Sequence, residues 1–126
     1  MKEVKINHIA LQFKSKEKAD IFFCEILGIS KSREFELTCS LSEKIFDISE
    51  DVKVCVYENE KCKFEVFITN KKNDLSFNHI CLEISDRKEI IEKCRKNGLE
   101  VRLVDKNDKT LLFIKDFSEN IYEVKS

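Results

Sequence analysis

The sequence predicts an α+β fold made of two copies of one βαβββ module. Three observations carry that expectation. Ile6-Asn7-His8-Ile9-Ala10-Leu11 returns 71 residues later as Phe77-Asn78-His79-Ile80-Cys81-Leu82. Each copy leads into a helix-like stretch closing on Leu27-Gly28-Ile29 or Asn97-Gly98-Leu99, and each half ends alike, on Phe64-Glu65-Val66 or Tyr122-Glu123-Val124. The composition is that of a globular domain, with 42% hydrophobic and 37% charged residues over 126 positions. Only two copies fit, which excludes a solenoid. The expected organisation is one domain, 1–126, of two modules, 1–69 and 75–126, with the polar run Asn70-Lys71-Lys72-Asn73-Asp74 between them.

The elements follow from periodicity. Ile9, Leu11 and Phe13 alternate with His8, Ala10 and Gln12, and Ile80, Leu82 and Ile84 alternate with His79, Cys81 and Glu83. Period two means strands with one apolar face each. Ser15 suits an N-cap, Ala19, Phe22, Phe23 and Ile26 follow helical spacing, and Gly28 suits the position just past the helix end. In the second half Asp86 and Glu89 stand in capping-box register ahead of Ile90, Ile91 and Cys94, before Gly98. Strands are then expected at Leu99–Val104, Thr110–Ile114 and Ile121–Val124, and in the first half at Val52–Tyr57 and Cys62–Thr69. Between residues 31 and 50 a strand is expected near Glu34–Leu41. Each four-stranded sheet is expected to be backed by one helix.

Composition removes several function classes. A net charge of −1 leaves no basic footprint for nucleic acid. The two Gly, 28 and 98, stand too far apart for a phosphate-cradling loop. The six Cys form no C-x-x-C pair. No secretory h-region follows Met1–Lys5, and no apolar run nears the roughly 20 residues that span a bilayer. A cytoplasmic protein with reduced thiols and no membrane partner is expected.

Strand parity selects the candidate site. The helices must cover the apolar faces, so His8 and His79, the only histidines, project from the other face of each sheet. Glu65, opposite Phe64 and Val66, and Glu123, opposite Tyr122 and Val124, share that helix-free face. Two imidazoles and two carboxylates suit one divalent ion, with Ni²⁺, Zn²⁺ or Co²⁺ ahead of Fe²⁺ or Mn²⁺, and leave positions open for water or substrate. A wet sheet face with ordinary polar side chains is the alternative; the symmetric set of four favours the metal.

The duplicated βαβββ pattern, the run Phe22-Phe23-Cys24-Glu25-Ile26-Leu27-Gly28 and the paired Asn-His-Ile strands resemble the vicinal oxygen chelate superfamily, from Ile6 to Val124. That group includes glyoxalase I, methylmalonyl-CoA epimerase, extradiol dioxygenases, and fosfomycin and bleomycin resistance proteins. Asp116-Phe117-Ser118-Glu119-Asn120 sits where the family usually has Asp-Pro-Asp-Gly-Asn, without the Pro and Gly. The resemblance implies a glyoxalase-like paired-sheet barrel and puts the metal ligands at His8, Glu65, His79 and Glu123. A full set of four implies the glyoxalase I and methylmalonyl-CoA epimerase branch.

The implied enzyme is a metal-dependent lyase or isomerase of the glyoxalase I type, moving a proton alpha to a carbonyl through a metal-stabilised enediolate. Glu65 or Glu123 would be the base. An epimerase-like isomerase is the alternative; it needs a further carboxylate, and Glu50 resembles one in context. A non-catalytic module that sequesters a ligand, as bleomycin resistance proteins do, is the other alternative. The expected partner is a small carbonyl or thioester substrate. Glu25 stands where glutathione-binding relatives often carry a basic residue, which counts against glutathione. The barrel closes within the chain or across a dimer; a homodimer is expected.

Overall fold

The computed structural model describes residues 6–72 and 77–126. The chain divides into two compact units, Met1–Lys72 and Asn73–Ser126. Asn73 and Asp74 of the expected linker lie outside the described residues.

The first unit runs β1 (Ile9–Phe13), α1 (Lys16–Asp20) continuing as a π-helix over Ile21–Ile26, β2 (Lys31–Leu37), α2 (Cys39–Phe46), β3 (Val52–Glu58) and β4 (Lys63–Ile68). Its sheet order is β1-β4-β3-β2, with β1 parallel to β4 and the other neighbours antiparallel. The second unit runs β5 (His79–Glu83), α3 (Arg87–Lys96), β6 (Val101–Lys106), β7 (Lys109–Lys115) and β8 (Ile121–Lys125). Its order, β5-β8-β7-β6, repeats the first, again with only the outer pair β5/β8 parallel. This is the expected α+β architecture, with one four-stranded sheet in each unit.

The helix boundaries obey the local chemistry. Ser15 Oγ accepts from Lys18 N at 3.2 Å, and Asp86 Oδ1 from Glu89 N at 3.0 Å, so both expected N-caps form. Glu89's own carboxylate pairs with Lys93 at 2.7 Å, an i,i+4 contact in the favourable order. Gly28 and Gly98 take φ of +73° and +71° just past the helix ends, where a side chain would strain the backbone. The π-helical widening, marked by Leu27 N bonding Phe22 O at 3.0 Å, lets adjacent Phe22 and Phe23 both turn inward, each fully buried. They join Phe13, Tyr57 and Phe64 in an aromatic core on the helix-covered face, with Phe23 stacked on Tyr57 at 4.7 Å.

Two expectations need correction. The strand placed near Glu34–Leu41 is Lys31–Leu37, and the helix α2 follows it. Thr38 caps α2, its Oγ1 accepting from Leu41 N at 3.4 Å, and Asp47 closes it in the left-handed conformation at φ +59°. The first sheet is therefore not backed by one helix alone. Phe46 of α2 meets Phe67 edge-on, ring centroids 5.6 Å apart, and Phe67 belongs to the face opposite α1. That face, expected to be free of helix, is partly covered.

The turn before β8 keeps its shape without Pro or Gly. Glu119 takes φ +68°, the conformation a glycine would adopt freely. Asp116 holds the turn together: Oδ1 accepts from Ser118 N at 2.8 Å and Asn120 N at 3.0 Å, and Oδ2 from Asn120 Nδ2 at 2.9 Å and the Tyr122 hydroxyl at 2.7 Å. Burial pushes this carboxyl above its ordinary range, against the pull of those bonds. Tyr122 precedes Glu123, so the network sets where β8 presents its carboxylate. Asp116→Ala strands several buried donors and should cost about 2–3 kcal/mol in urea denaturation, more than a surface truncation does.

Candidate metal centre

In the first unit, parallel pairing sets Ala10 beside Glu65. His8, two residues before Ala10, therefore shares Glu65's face. Its Nε2 lies 3.5 Å from Glu65 Oε1. The second unit repeats the arrangement: Cys81 pairs with Glu123, His79 stands two residues earlier, and His79 Nε2 lies 3.8 Å from Glu123 Oε1. The carboxylates are sunk, with side chains 16% and 18% exposed, while the imidazoles are 38% and 46% exposed, so an ion can approach from the open side.

Each imidazole is oriented through its other nitrogen. His8 Nδ1 lies 2.9 Å from Asn7 Oδ1, and His79 Nδ1 lies 3.1 Å from the Phe77 carbonyl. An acceptor at Nδ1 suits the neutral imidazole protonated on that nitrogen, in which Nε2, the atom facing the carboxylate, is the one free to ligate. That is the tautomer a metal-ligating histidine uses, with an oxygen behind it. Two donors on one metal, each about 2.1 Å from it, stand roughly 3.0–3.4 Å apart. The observed separations are a few tenths of an ångström larger, so small side-chain adjustments would seat an ion. Among the described residues no three His, Cys, Asp or Glu side chains form one group; the donors come as two pairs, one in each unit.

Glu50 is exposed and lines a cavity on the His8–Glu65 face of the first unit, together with Gln12, Phe46 and Phe67. Lys71, from the polar run expected between the modules, lines it too. In the second unit His79 opens onto a cavity of about 300 Å³ whose lining includes Arg102, Phe113 and Lys115. Arg102 stands in one cross-strand row with Phe113, Glu123 and Cys81, and both cations lean on Glu100, at 2.6 and 3.8 Å. Sequence reasoning missed Arg102 and Lys115. Strand parity would have found both, because each lies opposite residues of the helix-covered face. Cys81 is exposed on the ligand face, and Cys24, Cys39, Cys55, Cys62 and Cys94 are also free thiols. Among the described residues no helix is long and apolar enough to cross a membrane.

The family follows from the comparisons. Residues 7–110 match the Glyoxalase/Bleomycin resistance protein/Dioxygenase superfamily, and the chain belongs to that superfamily. Solved structures of the same fold include a glyoxalase family protein from Enterococcus faecalis, 20% identical, covering 97% of this chain and 97% of that one, with a TM-score of 0.71. The fosfomycin resistance protein FosX from Listeria monocytogenes is 15% identical, covering 98% of this chain and 93% of that one, with a TM-score of 0.74. A mutant of that FosX, complexed with Mn(II) and 1S,2S-dihydroxypropylphosphonic acid, is 17% identical over 98% of this chain and 93% of that one, with a TM-score of 0.73. No curated protein sequence matches the chain.

Proposed function

We propose that this chain is a metal-dependent lyase or isomerase of the glyoxalase I-like type, with His8, Glu65, His79 and Glu123 as the ligands of its divalent metal. The observation that carries the reading is the repeated His–Glu pair, with Nε2 of each imidazole facing a carboxylate and an acceptor at Nδ1. Two nitrogen and two oxygen donors suit Ni²⁺, Zn²⁺ or Co²⁺, and Fe²⁺ or Mn²⁺ less closely. A FosX relative was solved with Mn(II), which supports a divalent ion on this fold. Bound there, the ion would supply Lewis acidity at a substrate carbonyl oxygen.

The chain's own groups then move the proton. Glu65 and Glu123 each hold two carboxylate oxygens, and one oxygen of either faces its histidine. The other oxygen would take a proton from the carbon next to the carbonyl and return it. Glu50 supports a second reading, an epimerase-like isomerase, because its carboxylate lines the cavity on the His8–Glu65 face and offers an acid or base outside the ligand set.

Metal analysis decides first. The wild type should carry about one divalent ion per chain, and His8→Ala and His79→Ala should each reduce it to a small fraction while circular dichroism shows the fold kept. Two ions per chain would mean that the pairs bind separately. Full metal content in both variants would remove the ligand assignment.

A further inference from the structure

The face that carries His8 and Glu65 also holds a cavity. Ala10 follows His8 by two residues on β1, and Phe67 follows Glu65 by two on β4, so both sit on the pair's face roughly 7 Å further along the strands. There, with Val52 from the neighbouring strand and Phe46 and Ile48 from α2 and its end, they wall a cavity of about 160 Å³. The walls are predominantly apolar, and Glu50 is the one acidic residue among them. Gln12, on the same face, donates its amide to the Lys71 carbonyl at 3.1 Å. An apolar cavity of about 150 Å³ holds one benzene ring. Phe46, half exposed and edge-on to Phe67, stands at the rim.

We propose that this cavity receives an apolar arm, up to one aromatic ring in size, of the carbonyl compound bound at His8 and Glu65, and that Phe46 limits the length of that arm. The inference rests on the metal reading given above and deepens it by naming the substrate class. A carbonyl held at Glu65 has the cavity mouth one residue pair away, so an aryl or short alkyl group on the adjacent carbon reaches it. Arms longer than one ring meet Phe46.

Benzyl alcohol, titrated into metal-free protein and followed through the methyl resonances of Val52 and Ile48, tests the cavity without any turnover. Those methyls should shift while Val124 in the second unit stays in place. Val52→Phe fills the space and should weaken binding at least 10-fold. Phe46→Ala opens it and should let naphthylmethanol bind at least 10-fold more tightly than wild type does, which keeps the test alive if the first variant fails to fold. Unmoved wild-type methyls, or naphthylmethanol binding wild type and Phe46→Ala equally, would overturn the proposal. Metal uptake is measured on the same samples. Benzyl alcohol in the cavity without metal uptake supports the apolar-arm assignment and removes the metal reading, whereas metal uptake with no benzyl alcohol shift does the reverse.

Discussion

Glu65→Gln and Glu123→Gln should each lower turnover of thiol hemiacetals or 2-methylmalonyl thioesters by roughly 10²-fold or more. The amide keeps the side chain's shape and one oxygen able to ligate, so turnover is compared at matched metal content with the proton acceptor gone. The comparison separates the roles of the two carboxylates. If Glu123→Gln abolishes exchange of the alpha proton with D₂O and Glu65→Gln leaves it, Glu123 is the base and Glu65 a ligand only. Glu50→Gln is the third arm: a loss there as large as in the other two moves the chain to the epimerase-like reading. Should all three variants and the wild type fail to exchange deuterium with either substrate, yet an apolar ligand bind tightly, the sequestering module takes the enzyme's place.

Phe23→Ala should cost about 3–5 kcal/mol, a large part of the stability of a domain this size. Phe23 is fully buried, stacked on Tyr57 at 4.7 Å, edge-on to Phe22 at 5.2 Å, and against Phe64 and Phe13 at 5.2 and 5.5 Å. Truncation leaves a ring-sized void that the sheet cannot close. The same variant tests cooperativity. Units this small are marginal on their own, so the two should unfold together. Urea transitions read at Tyr57 and at Tyr122 should shift by the same amount in Phe23→Ala. A second unit that keeps its wild-type midpoint would show two independently folding halves.

Much of this protein is legible in its sequence because strand parity is a strict rule. His8 and Glu65 had to share a face once Ile9, Phe13, Phe64 and Val66 were assigned to the other, and the second copy repeated the argument. What parity does not reveal is where a strand stops. Phe35, Leu37, Cys39 and Leu41 keep a period of two, so the pattern runs straight through the start of α2. The helix is rich in Ser, Thr and Cys around its start, residues with modest helical preference. Its signals were the Thr38 cap and the i,i+4 pairs Leu41/Ile45 and Ser42/Phe46, eight residues in all, too short to outweigh the alternation. Missing α2 meant missing the wall of the cavity, since Phe46 and Phe67 are 21 positions apart and only the tertiary contact joins them. The turn before β8 was harder to anticipate for a different reason. Glu119 occupies a conformation that its side chain disfavours, and the bonds to Asp116 that hold it there are not visible until the chain folds.

The two histidines look like copies, yet their supports are not interchangeable. His8 leans on the side chain of Asn7, and His79 on the main-chain carbonyl of Phe77. A carbonyl is supplied by every amino acid, whereas an amide oxygen at position 7 is supplied by very few. The Asn that both halves share therefore carries different information in each: at position 7 it is an instruction, and at position 78 the ring's support comes from elsewhere. A change at position 7 therefore disturbs the aim of His8, whereas a change at position 78 leaves the support of His79 in place.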